Sequence, residues 1–261
     1  MSEPTVYGVI PARIASSRLP RKLLLDKTGK PLIQYAWENA SAASTLSDVL
    51  IATDSDEIAE AASGFGARVA MTGDHPSGSD RIAEVVRREL RDADLVVNIQ
   101  GDEPEADPAT IDRLTRSLAS RPAVEMATLA SPIQDDVILE DRSCVKVVCA
   151  ADGRALYFSR LPIPCYQKGS PAEFWGADDE ESAGYCESPW LLHMGLYAYR
   201  REFLLALTEM PQSKLERLEN LEQLRALEAG ASIHVEVVRH RSVGIDTADD
   251  YARFVERQRV S

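Results

Sequence analysis

Chemistry is first visible where an apolar run ends in acid. Leu95-Val96-Val97-Asn98-Ile99 has the composition of a buried strand, and Gln100-Gly101-Asp102-Glu103-Pro104 follows it directly. Gly101 permits a sharp turn and Pro104 cannot continue a ladder, so Asp102 and Glu103 come to lie at the carboxyl end of the strand. Ligands of open α/β sheets bind beyond that end, which makes these carboxylates candidates for holding Mg²⁺. A polar turn after a core strand is the plainer reading. Far along the chain, Val243-Gly244-Ile245-Asp246-Thr247 presents a second glycine-flanked aspartate after the last clear strand.

The opposite charge is concentrated near the amino end. Between Pro11 and Pro20 and just beyond, Arg13, Arg18, Arg21 and Lys22 share a loop with Ser16 and Ser17. Guanidinium forks and an ammonium suit phosphate oxygens, although such a loop can equally be a solvated basic surface. The Walker pattern GxxxxGK[ST] is absent. A third polar element, Ser77-Gly78-Ser79, opens a helix expected over Asp80 to Glu89. Its N–H groups and dipole suit a base carbonyl, a ribose or a phosphate, while capping by Ser79 explains it as well. Paired aspartates facing a basic triphosphate cradle together suggest nucleotidyl transfer.

The elements that must position these groups follow from periodicity. Strands are expected at Thr5 to Pro11, Asp48 to Thr53, Ala67 to Met71, Leu95 to Ile99 and Val124 to Ala130. Further strands are expected at Val145 to Val148, Ala155 to Ser159, Leu191 to Tyr199 and Ile233 to Val238. Helices fall at Leu32 to Ala43, Glu57 to Gly64, Pro108 to Leu118, Arg201 to Thr208, Lys214 to Glu228 and from Ala248 onward. The alternation predicts a doubly wound, mainly parallel α/β sheet, made mixed by a hairpin at Ala151-Asp152-Gly153. Asp54 reads as a helix-capping residue, and Glu219 and Glu222 as neighbours on one solvent-facing helix face. Tyr166 to Pro189, with the acidic run Asp178 to Glu181, has no periodicity and reads as a long loop.

Composition narrows the function classes. The 261 residues are 44% hydrophobic and 27% charged, with a formal net charge of -13, so one globular domain is expected and a nucleic-acid-binding surface is not. No stretch approaches the roughly 18 apolar residues of a membrane span. Four cysteines without zinc-type spacing fit a reducing cytoplasm.

Taken together, the motifs resemble those of the 3-deoxy-D-manno-octulosonate (Kdo) cytidylyltransferases. The similarity runs through Ile10-Pro11-Ala12-Arg13, Arg18-Leu19-Pro20 with Lys22, Ala52-Thr53-Asp54, Ser77-Gly78-Ser79-Asp80-Arg81 and Asn98 to Pro104. It continues through Val145 to Val148, Ala155 to Arg160, Leu221 to Arg225 and Gly244 to Thr247. The resemblance implies a Rossmann-like fold of the nucleotide-diphospho-sugar transferase type. The whole chain, 1–261, would form one cytidylyltransferase domain, with a sugar-acid-binding and dimerisation subregion inserted at about 155–225. It implies a homodimer that converts CTP and Kdo, a 2-keto-3-deoxy sugar acid, to CMP-Kdo and pyrophosphate with Mg²⁺, for lipopolysaccharide biosynthesis. Residues matching Arg13, Arg18 and Lys22 would hold the triphosphate, and those matching Ser77, Gly78, Arg81 and Gln100 would surround the cytidine or its phosphates. Asp102 and Asp246 would bind metal, and with Lys22 and Arg13 form the catalytic set. Arg160, His193, Tyr197, Glu222 and Gln223 would face the sugar acid.

The chain departs from the family at two places on the acceptor side. Leu192 stands where a basic residue commonly precedes the histidine, and the loop from Tyr166 is longer and more acidic. An 8-amino-Kdo or a sialic-acid-type acceptor therefore stays open, as does a non-catalytic sugar-nucleotide-binding protein on the same fold.

Overall fold

The computed structural model describes residues 3–16, 18–175, 188–239 and 243–260. Ser17 and the acidic run Asp178 to Glu181 lie outside the described residues. From the amino end come β1 (Val6–Ala12), α1 (Leu32–Ser41), β2 (Asp48–Thr53), α2 (Asp56–Gly64), β3 (Arg68–Met71), α3 (Gly78–Glu89), β4 (Leu95–Asn98) and α4 (Pro108–Ala119). There follow β5 (Met126–Pro132), α5 (Asp136–Glu140), β6 (Lys146–Cys149), β7 (Ala155–Ser159), α6 (Pro171–Trp175) and β8 (Leu191–Arg200). The chain continues with α7 (Arg201–Glu209), α8 (Lys214–Glu219), α9 (Gln223–Glu228), β9 (Ile233–Val237) and α10 (Ala248–Val260).

Two compact units are present. The first comprises Met1–Ser120, Leu196–Glu209 and Ser242–Ser261; the second comprises Arg121–Gly195 and Met210–Arg241. In the first, β2 pairs in parallel with both β1 and β3, and β1 pairs in parallel with β4, giving the order β3-β2-β1-β4. The carboxyl half of β8 adds antiparallel to β4, with Asn98 opposite Tyr197. This is the mixed, mainly parallel α/β arrangement that the alternation predicts. Leu95, Val96, Val97 and Ile99 are at most 1% exposed, which is why the strand reads as a continuous apolar run. Each such side chain contributes roughly 1.5–3 kcal/mol of burial.

In the second unit β5 and β9 are parallel, and β6 pairs antiparallel with β7 and with the amino half of β8. The β6–β7 turn closes at Gly153, whose φ of 83 needs a glycine. Three local readings are corrected here. The segment from Tyr166 is not wholly irregular, because α6 forms within it. Glu173 accepts from the Ser170 amide at 2.6 Å, and Phe174 packs edge-on to Tyr166 and Trp190. α5 was not expected either; Asp135 caps it, accepting from the Val137 amide at 2.8 Å. The helix expected over Lys214 to Glu228 is two helices, broken at Asn220 in the left-handed conformation (φ 52). Glu219 and Glu222 therefore do not share one helix. Nor does Glu219 project to solvent, since it accepts from the Ser159 hydroxyl at 2.8 Å and the Arg160 amide at 3.0 Å.

Candidate functional site

Asp102 and Asp246 are brought together by backbone before any side chain acts. The Ile245 amide donates to the Asp102 carbonyl at 2.9 Å, setting the two loops side by side. Ile245 is itself anchored in a cluster with Leu32, Tyr251, Phe254 and Val255. Thr247 caps α10: its hydroxyl accepts from the Asp250 amide at 3.1 Å, while Asp250 accepts from the Thr247 hydroxyl at 2.7 Å and the Thr247 amide at 2.9 Å. The Thr247 hydroxyl, opposed by burial and helped by Arg253, holds the Asp250 carboxyl down at about 2. On the other loop, Gly101 has no left-handed φ. Its need is space, because an added Cβ would lie 3.1 Å from Ile10 Cγ2 and 3.4 Å from Leu23 Cδ2.

Lys22 lies between the two carboxylates. It opens a short 3-10 turn after Arg21, which adopts φ 55, and the neighbouring Leu23 is buried. Lys22 Nζ is 2.5 Å from Asp102 Oδ2 and 3.0 Å from Asp246 Oδ1, and Arg18 Nη2 is 3.0 Å from the same Asp246 oxygen. Burial pulls the Lys22 pKa down, but the charge and hydrogen bonds of Asp102 and Asp246 outweigh it and raise the pKa above the usual lysine value. Two carboxylates that share one ammonium are within common reach of a metal cation. Among the described residues there is no cluster of three or more His, Cys, Asp or Glu side chains that could hold a metal. That donor set fits Mg²⁺, which takes one or two carboxylates and fills its shell with phosphate oxygens and water.

These residues form one end of a cavity of about 350 Å³, which Arg13, Arg18, Gln100, Ser77, Gly78 and Arg81 also line. Glu103, the second acid of its strand-end pair, does not line it. α3 starts at Gly78, two residues earlier than expected, and its cap is Ser77 rather than Ser79. The Ser77 hydroxyl accepts from the Asp80 amide at 3.1 Å. A Cβ on Gly78 would lie 3.2 Å from Pro11 Cγ, so glycine allows α3 to start against the end of β1. Arg81, 3% exposed, donates to Asp54 Oδ2 at 2.8 Å and Thr72 Oγ1 at 2.5 Å. Asp54 is thus not a cap; Ser55 caps α2 and Asp54 holds Arg81. No local pattern shows this, because the partners come from different βα units.

His75 was missed for the same reason. It lines the cavity, and its Nε2 is 2.6 Å from Glu84 Oε2, one turn of α3 beyond Arg81. Glu84 also accepts from the Gly73 amide at 3.0 Å.

In the second unit, Arg160 is bound to backbone: its guanidinium donates to the carbonyls of Glu219 at 2.6 Å, Arg142 at 2.9 Å and Asn220 at 3.2 Å. His193 packs edge-on to Phe158 at 5.1 Å, with Nε2 3.1 Å from Thr128 Oγ1, and burial lowers its pKa to about 3. Gln223 is buried at the start of α9, and its Nε2 has no hydrogen-bond partner among the described residues. Glu222 precedes it. Leu192 packs with Ile133, Leu139, Phe174 and Trp190, so the departure at this position is a core residue. Tyr197 belongs to the first unit and stacks on Tyr199 at 5.8 Å.

The sequence pattern described as Cytidylyltransferase matches residues 7–233. A 3-deoxy-manno-octulosonate cytidylyltransferase of Geobacter sulfurreducens is 44% identical over 253 residues, covering 97% of this chain and 98% of the relative. One from Solibacter usitatus is 45% identical over 249 residues, covering 95% and 92%. The solved structure of CMP:2-keto-3-deoxy-manno-octonic acid synthetase complexed with CTP superposes with a TM-score of 0.87 at 36% identity, covering 98% of this chain and 99% of that one. A cytidylyltransferase structure from Leptospira borgpetersenii, 16% identical with a TM-score of 0.61 over 97% and 85% of the two chains, shares the fold.

Proposed function

The chain belongs to the cytidylyltransferase family, and from that membership we propose that it transfers the cytidylyl group of CTP to the anomeric 2-hydroxyl of Kdo. The products are CMP-Kdo, for lipopolysaccharide biosynthesis, and pyrophosphate. The observation that carries this reading is the meeting of Asp102 and Asp246 over one cationic group at the end of a cavity lined by Arg13 and Arg18.

In the reaction the hydroxyl oxygen bonds to the α-phosphorus of CTP, the bond from that phosphorus to the bridging oxygen breaks, and pyrophosphate leaves in line. The hydroxyl proton passes to water. Asp102 and Asp246 would hold Mg²⁺, which when bound would supply positive charge to lower the pKa of the hydroxyl and offset the phosphate charge. Arg13, Arg18 and Lys22 take up triphosphate oxygens and stabilise the charge that gathers on the departing pyrophosphate. Holding both reactants in register removes much of the entropic barrier. No thiol takes part; burial raises Cys149 to about 11. Arg160, His193, Tyr197, Glu222 and Gln223 face the sugar acid in this reading. The buried Gln223 Nε2 is a donor that a ligand oxygen would satisfy.

We place the enzyme in the cytoplasm as a homodimer. Free thiols at Cys144, Cys149 and Cys165 support a reducing compartment, and no described helix is long and apolar enough to cross a membrane. Exposed apolar side chains at Leu156, Leu161 and Leu218 in the second unit support self-association. The deciding experiment is pyrophosphate release from CTP with Kdo, 8-amino-Kdo and a sialic acid, with and without EDTA. Metal-dependent release with Kdo is expected, and release with none of the acids would overturn the reading.

A further inference from the structure

We propose that His75 selects the nucleobase, its Nδ1 accepting a hydrogen bond from the exocyclic amino group of cytosine, with Glu84 as the positioning residue that fixes the ring. The proposal rests on the reading of this cavity as a CTP site and adds the group that distinguishes CTP from UTP.

The topology orders the cavity. In the first unit the strands run β3-β2-β1-β4, and neighbouring strands lie about 4.8 Å apart, so the segments that follow β3 and β4 are roughly 14 Å from each other. The Lys22 ammonium, a cation that suits a triphosphate oxygen, lies 2.5 Å from Asp102 beyond β4 and 3.0 Å from Asp246. His75 comes from the segment after β3 and lines the same cavity. A nucleotide whose phosphates occupy the β4 end extends its base toward His75.

That segment is held by one face of α3. Arg88 donates to the Met71 carbonyl at 2.5 Å, Arg81 to the Gly73 carbonyl at 3.3 Å, and Glu84 accepts from the Gly73 amide at 3.0 Å. Glu84 then takes His75 Nε2 at 2.6 Å. The same hydrogen bond holds the Glu84 carboxyl below the usual range, so Glu84 is ionised and can only accept. Nε2 must therefore carry the proton. In the neutral ring that leaves Nδ1 as an acceptor, and no hydrogen bond occupies it among the described residues. Cytosine offers an amino donor where uracil offers a carbonyl oxygen, so a fixed acceptor binds the first and repels the second.

The test is kcat/KM for pyrophosphate release with CTP and with UTP, and titration of each nucleotide onto the protein, in the native protein and in His75→Ala and Glu84→Gln. Loss of one neutral hydrogen bond lowers kcat/KM with CTP about tenfold in His75→Ala. UTP, relieved of the repulsion, loses nothing, so the CTP:UTP ratio falls by at least that factor. Glu84→Gln lets the amide donate to Nε2 and frees the ring to take the other tautomer, so the ratio falls with His75 still present. The double variant falls no further than His75→Ala. Equal losses with both nucleotides, or an unchanged ratio in a folded His75→Ala protein, overturn the proposal. If the native protein releases no pyrophosphate from CTP with any acid, cytidylyl transfer fails; the ratio of CTP to UTP binding still decides the role of His75.

Discussion

At the scale of single residues, the site is built on one ammonium shared by two carboxylates. Lys22 neutralises two carboxylates that would otherwise repel. Asp102→Asn and Asp246→Asn are each expected to lower kcat by orders of magnitude while far-UV circular dichroism and Tm stay near native; near-normal turnover in both would end the two-aspartate mechanism. His193 gives a pH prediction. Its folded pKa, pressed by burial to about 3, lies below the ordinary 6.5, so the unfolded chain binds more protons between those values. Its contribution to stability is complete above pH 6.5 and is lost as pH falls toward 3. Urea midpoints should decline over that window, and the decline should be shallower in His193→Gln. The sequence exposes Asp102, Asp246 and Lys22 through their motifs. It hides the partners Asp54–Arg81 and His75–Glu84, because a hydrogen bond between separate segments leaves no periodic trace.

At the scale of elements, ends matter more than middles. β4 is legible because every side chain in it is buried, and α3 because of its amphipathic spacing, whereas the capping atoms that set their limits are tertiary detail. α10 shows the functional side of this. The Thr247–Asp250 reciprocal cap ties down the residue next to Asp246, so a helix terminus fixes the loop that carries this carboxylate. Asp250→Ala should cost about 1 kcal/mol of stability, read by urea denaturation, and should lower kcat through misplacement of Asp246. A stability loss with kcat unchanged would separate the cap from the site. The break at Asn220 is the converse case. Helical propensity runs on through Lys214 to Glu228, but Glu219 is drawn to Ser159 and Arg160, and asparagine tolerates the left-handed turn this demands.

At the scale of the whole molecule, Leu218 is, among the described residues, the most exposed large apolar side chain, at 81%. Light scattering should give twice the mass of one chain, and Leu218→Glu should shift it toward a single chain; an unaltered dimer would exclude this face from the interface. The sequence by itself determined the α/β class, the parallel pairing implied by alternation, and the chemistry of nucleotidyl transfer, because burial patterns and motif residues are local and survive as composition and spacing. Only the tertiary structure decided that the Asp102 and Asp246 carboxylates converge on one ammonium, that Asp54 serves Arg81 instead of a helix end, and that Leu192 fills a core. Each of those depends on the distance between segments remote in the chain, which packing sets and which no window of neighbouring residues contains.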